Sequence, residues 1–168
     1  MGIDILIEDS RWQSVSLQDL VDLAGDATLA HLGIDPLETE ISVLACDDIR
    51  IATLNTEFRG KPRPTNVLSW PSQDRSAKQA GAKPARPIDM TDMELGDIAL
   101  SYDTCKREAE EMGLAFEDHI THLTIHGILH LLGYDHIRDL DATLMEGLET
   151  SILGKLGVAD PYRDDEAG

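Results

Sequence analysis

The chain has 168 residues, is 42% hydrophobic, and carries 14 basic against 32 acidic side chains, a formal charge of −18. That length supports one compact core rather than two. The acidity excludes nucleic-acid affinity spread over the whole surface, because such affinity comes from neutralising phosphates, so any such site must concentrate its few cations where a substrate sits.

Ile3 to Ile7 reads as a first short strand, rich in β-branched residues. Asp4, Glu8 and Asp9 stand where a signal peptide would carry basic residues, and no apolar run approaches membrane length, so a soluble cytoplasmic protein with no membrane partner is expected. Ser16 to Leu32 has helical spacing, with Leu17, Leu20, Val21, Ala24, Ala27 and Leu32 on one side and Ser16 with Asp19 as the expected N-terminal cap. Glu40 to Cys46 predicts a second strand. Asp47 and Asp48 open a helix that reaches Glu57 and ends near Gly60. Thr65 to Trp70 predicts a third strand, closed by Pro71. Residues 72–93 are poor in apolar side chains and predict an exposed, flexible loop, in which Arg75, Lys78, Lys83 and Arg86 are either ordinary loop charges or substrate contacts. Leu95 to Leu100 predicts a fourth strand. Helices are expected over Ser101 to Met112, stopped by Gly113, and over Phe116 to Leu132, before Gly133. Leu140, Leu144, Leu148, Ile152 and Leu156 mark an amphipathic last helix. From Ala159 the acidic residues 159–168 predict a disordered tail. Cys46 and Cys105 show no CxxC spacing and are expected as small buried hydrophobes in a reducing compartment. Strands interrupted by helices, then a run of helices, predict a single α+β domain over residues 1–158, with a small mixed four-stranded sheet packed with about five helices.

Residues 126–136 read HGILHLLGYDH. On a helix, residues four apart lie on one face roughly 6 Å from each other, so His126 and His130 can hold one ion. A helix continued straight would carry His136 roughly 9 Å beyond His130. Gly133 can instead end the helix in a left-handed conformation and let the chain bring His136 back. Three neutral imidazoles leave a further position open, the pattern of a catalytic zinc site, and such an ion lowers the pKa of bound water toward ~7 and polarises a phosphoryl or carbonyl oxygen. The spacing matches the zincin-like HExxHxxGxxH helix of metalloproteases, except that Gly127 stands where those enzymes carry their glutamate base. His119 and His122 extend the stripe on the same helix. His122 is a catalytic candidate that either orients a ligand or acts on the substrate, or simply bonds a backbone carbonyl. Asp135 either serves the third ligand and the reaction or belongs to the turn after Gly133.

The stretch NTEFRGKPRPTNVLSWP, residues 55–71, places Arg59, Lys61 and Arg63 within one short turn of an otherwise acidic chain. Arginine offers a planar fork and lysine a point charge to phosphodiester oxygens, so these three are the substrate-binding candidates, against the plain reading of a solvated helix terminus. With HGILHLLGYDH and Gly96-Asp97-Ile98, this turn resembles the YbeY family of endoribonucleases, over most of the chain from Ile41 to Leu156. The resemblance implies one Zn2+ held by His126, His130 and His136, and an Arg59 required for activity. It also implies a single-strand-specific endoribonuclease that matures the 3′ end of small-subunit rRNA and takes part in ribosome quality control, with ribosomal proteins and an assembly GTPase as candidate partners. The family's RGKDKPTDVLSFP stretch departs here at Pro62, Arg63, Asn66 and Trp70, which leaves the histidines untouched and bears on substrate contact. Pro62 removes a backbone donor, while Trp70 either stacks on a base or packs in the core. The expected chemistry is metal-assisted phosphodiester cleavage, with Arg59, His122 and Asp135 as catalytic candidates. A metal-dependent peptide or amide hydrolase and a non-catalytic ribosome-assembly factor with structural zinc are the alternatives.

Overall fold

A computed structural model describes residues 2–84 and 94–162 of the chain. Four strands, β1 (Gly2–Ile7), β2 (Glu40–Cys46), β3 (Val67–Pro71) and β4 (Glu94–Ser101), form one sheet in the order β1-β2-β4-β3. β1, β2 and β4 run parallel, and β3 closes the edge antiparallel to β4. Five α-helices accompany them: α1 (Leu17–His31), α2 (Asp48–Arg59), α3 (Tyr102–Met112), α4 (Phe116–Leu131) and α5 (Asp139–Lys155). The α+β class and the mixed four-stranded sheet expected from the sequence are what the chain adopts.

The main core lies between the sheet and the pair α1 and α4, where Val21, Leu29, Ile41, Val43, Ile98, Leu100, Ile120 and Ile128 are buried together. A second cluster joins α4 to α5 through Ile125, Leu129, Met145, Ile152 and Leu153. α2 packs on the other side of the sheet, where Ile51 and Leu54 meet Cys46, Leu68 and Ala99. Trp12 is completely buried, donates Nε1–H to the Cys46 carbonyl at 2.9 Å, and meets Tyr102 and Phe116 edge-on. Both cysteines are free and buried, and burial pushes the Cys46 thiol up to about 12, which makes it a packing residue rather than a nucleophile.

Two glycines set how closely neighbouring elements approach. Gly96 in β4 has φ +137°, and a Cβ there would stand 2.1 Å from the Trp70 carbonyl oxygen, so no other residue fits opposite β3. Gly127 in α4 lies against β4, where a Cβ would sit 3.1 Å from Ile98 Cδ1. The position that carries a glutamate in the proteases is thus a close helix–sheet contact in this chain.

Three expectations change in detail. Ser16 makes no side-chain cap, whereas Asp47 Oδ1 accepts from Arg50 N–H at 2.8 Å and Gly60 and Gly113 end their helices in left-handed conformations. The buried face of α5 is Asp141, Met145, Glu149, Ile152 and Leu153, one residue displaced from the leucine stripe, so Leu140 is 62% exposed. In the segment expected as a flexible loop, Arg75 is buried, and its guanidinium donates to the Leu131 carbonyl at 2.9 Å and to Ser72 Oγ at 3.0 Å. The Leu131 carbonyl is one of the last in α4 and has no partner inside its own helix, so a buried cation supplies one. Residues 85–93, including Arg86, and residues 163–168 of the acidic tail lie outside the described residues.

Arg75→Ala is expected to lower the free energy of unfolding by about 2–3 kcal/mol, because it strands buried carbonyls as well as opening space. Lys78→Ala, an exposed side chain in the same segment, should stay within about 0.5 kcal/mol of the parent. Urea titration of the two variants side by side distinguishes an anchoring arginine from an ordinary loop charge.

Candidate metal centre

α4 carries His126 and His130 one turn apart, and the backbone reverses directly after it. Gly133 N–H donates to the His130 carbonyl at 3.0 Å and Tyr134 N–H to the Leu129 carbonyl at 3.0 Å, closing the helix end. Gly133 takes φ +100°, and a Cβ there would stand 2.6 Å from the Arg75 backbone and 2.9 Å from Pro84. Conformation and crowding both require glycine. Asp135 Oδ1 then accepts from the backbone N–H groups of His136 at 2.6 Å and Ile137 at 3.1 Å, an Asx-type turn that shapes the return.

The result brings His126, His130 and His136 together: one ring nitrogen from each lies within 4.8 Å of the others. Ring centroids are 4.5, 5.3 and 5.1 Å apart, with His126 and His130 partly buried and His136 exposed. The group can hold a metal ion.

Proton placement tests that fit. Glu149, on α5 and 1% exposed, faces His126 Nδ1 at 3.3 Å. Burial would raise the Glu149 carboxyl, but hydrogen bonds from His122 and His126 outweigh it and hold the group down at about 2. An ionised carboxylate only accepts, so His126 carries its proton on Nδ1. His130 hydrogen-bonds the Tyr134 backbone, and its Nε2 is turned to His126, which leaves Nδ1 as the donor. Two unprotonated Nε2 atoms then face each other at 3.0 Å. Lone pairs so placed repel unless a cation lies between them, and a tetrahedral ion with bonds of 2.0–2.1 Å sets neighbouring nitrogens about 3.3 Å apart. Burial, and then the neighbouring His126 and His136, lower the His130 ring to about 4, so it is neutral at physiological pH, as a ligand must be.

The remaining sequence candidates are distributed around this cluster. His122 is half-buried, one turn before His126, and directs Nε2 to Glu149 at 2.5 Å, while its Nδ1 is buried without a partner among the described residues. His119 pairs with Glu108 at 3.0 Å, and Asn66 Nδ2 donates to the same carboxylate oxygen at 2.9 Å, tying the start of β3 to α3 and α4. Arg59, Lys61 and Arg63 are exposed at the end of α2 and in the turn after it. Arg11, Arg50, Arg107 and Arg138 are matched with carboxylates, whereas these three have no ion-pair partner among the described residues. No described hydrogen bond joins them to the histidines. Sequence reasoning missed Glu149; the available signal was a glutamate in register with Met145, Ile152 and Leu153 on the buried face of α5.

Titration of His130 has a stability consequence. Its folded value lies below its ordinary 6.5, so folding favours the neutral ring; that contribution is complete above pH 6.5 and is lost as pH falls toward 4. The urea midpoint of chelator-treated protein should therefore drop across this interval. His130→Gln should show a shallower decline over the same range, and equal slopes for the two proteins would contradict the assignment.

The sequence model of the family described as Endoribonuclease YbeY matches residues 4–157. Relatives named Endoribonuclease YbeY include those of Ruegeria pomeroyi, 58% identical over 96% of this chain and 98% of the relative, and Methylocella silvestris, 44% identical over 96% and 86%. Among solved structures, a Thermotoga maritima protein determined in solution shares the fold, with TM-score 0.55 and 22% identity over 95% of this chain and 98% of its own. The match over nearly the full length, together with the histidine geometry above, places this chain in the Endoribonuclease YbeY family.

Proposed function

We propose that the protein is a zinc-dependent, single-strand-specific endoribonuclease that acts on small-subunit rRNA at its 3′ end and serves ribosome quality control in the cytoplasm. The observation that carries this reading is the convergence of three imidazole nitrogens, two of them bare and 3.0 Å apart, in a chain whose relatives are named endoribonucleases. Borderline-soft nitrogen donors in a compact set suit zinc. An ion held there supplies a fixed positive charge that favours the extra negative charge of phosphodiester cleavage.

The chain's own groups do the rest. His126 and His130 present Nε2 from one rigid helix, and His136 completes the set from the turn that Asp135 shapes. Asp135 thus enters as a positioning group for His136 and His122 as a partner of Glu149. Arg59 steadies the phosphodiester through its planar fork, and Lys61 and Arg63 extend the cationic turn for the flanking strand. Their freedom from carboxylates supports this, since cations already paired to acids would bring little to a phosphate. In a chain of −18 the acidic remainder discourages binding elsewhere and suits basic partners such as ribosomal proteins, with an assembly GTPase as a further candidate. No helix among the described residues is long and apolar enough to cross a membrane. The tight contact of Gly127 with Ile98 speaks against the peptide-hydrolase alternative, which needs a base at that position.

Elemental analysis of purified protein is expected to return one zinc per chain, and cleavage of unstructured RNA should stop on chelation and return on zinc addition. Arg59→Ala should slow that cleavage on the order of 100-fold while zinc content stays at the parent value. Undiminished cleavage by Arg59→Ala removes the arginine from the mechanism, and RNA cleavage by the chelated protein removes the metal.

A further inference from the structure

Glu149 is an uncommon residue for its place. It sits on the face of α5 that packs against α4, in register with Met145, Ile152 and Leu153, and is 1% exposed. A carboxylate so buried is strongly unfavourable unless donors surround it. Among the described residues it has three: His122 Nε2 at 2.5 Å, His126 Nδ1 at 3.3 Å and the Tyr162 hydroxyl, at 3.1 Å to Oε1 and 3.2 Å to Oε2.

Two of these donors come from one stripe of α4, and the third comes from beyond the last helix. Asp160 Oδ1 accepts from Thr150 Oγ1 at 3.2 Å and from Tyr162 N–H at 2.9 Å, which folds the chain after Val158 back along α5. The Tyr162 ring then meets His122 edge-on, with centroids 5.9 Å apart and planes at 89°. His122 has no other polar engagement among the described residues, and it faces the carboxylate rather than the three-histidine cluster. The whole assembly converges on the side of His126 that points away from His130.

We propose that Glu149 is the positioning residue of the metal centre: it fixes His126 as the Nδ1–H tautomer with Nε2 aimed at the ion, and His122 and Tyr162 hold the carboxylate in place. This rests on the reading that the three histidines bind metal. A carboxylate behind a ligating imidazole selects its tautomer, limits ring rotation and raises its basicity. Among the described residues, His126 is the one ligand of the three that receives this support from a carboxylate; His130 is oriented by the Tyr134 backbone. The segment ending at Tyr162 thereby belongs to the metal centre although it supplies no ligand.

The test pairs a tautomer measurement on the parent with zinc affinities of variants. In long-range 15N–1H spectra of zinc-loaded full-length protein, His126 should show a protonated Nδ1 and a metal-shifted Nε2; the reverse pattern overturns the proposal without any mutation. In competition against a chromogenic chelator, Glu149→Ala should bind zinc about 10- to 100-fold more weakly. Glu149→Gln, which keeps a neutral acceptor, should recover part of that loss, and Tyr162→Phe, which removes one donor of three, should lose less than either. Should Glu149→Ala fail to fold, the glutamine variant and the tautomer pattern decide. Zinc affinity of both Glu149 variants equal to that of the parent sinks this inference alone, whereas a parent that binds no zinc sinks the metal reading along with it.

Discussion

The reversal of the chain at Gly133 is the constraint on which the histidine cluster depends. α4 delivers two imidazoles at a spacing any helix provides, but the third reaches them only because the backbone turns sharply after Leu132. Gly133 supplies the positive φ, and the space a side chain would occupy is filled by the backbone of Arg75 and by Pro84. Arg75 also donates to the Leu131 carbonyl at the same helix end. The segment after β3 is therefore part of what closes the site: its buried arginine satisfies the end of α4 and its backbone crowds the turn.

A second constraint is electrostatic and concerns which nitrogens carry protons. Neutral imidazoles brought close together can offer lone pairs or N–H groups inward, and only the first arrangement suits a cation. In this chain the outward nitrogen of His126 meets a buried carboxylate and the ring of His130 meets a backbone carbonyl, so both protons are drawn away from the cluster. The same logic of segregated charge operates at larger scale. Most of the described arginines are matched with carboxylates, while the three cations of the turn after α2 have no ion-pair partner among the described residues, in a chain of strongly negative net charge.

Much of this was legible in the sequence. Alternating and helical apolar patterns located the strands and helices to within a few residues, because those patterns are local consequences of burying one face. Gly60 and Gly113 marked helix ends, since a left-handed residue there is a local need. The spacing of His126, His130, Gly133 and His136 announced a convergent triad, and the resemblance of that motif and of the RGK turn led to the family.

What the sequence determined by itself was short-range: which segments form which elements, where the helix carrying the histidines must stop, and which imidazoles the turn can gather. What only the tertiary structure decided was the company these groups keep across the chain. Arg75 reads as a loop charge until α4 and β4 enclose it, and nothing singles out Glu149 on an amphipathic helix until its face proves displaced by one residue from the leucine stripe. Composition and spacing cannot report such partners, because burying a charge is favourable or prohibitive according to donors that lie tens of residues away and meet it only when the layers pack.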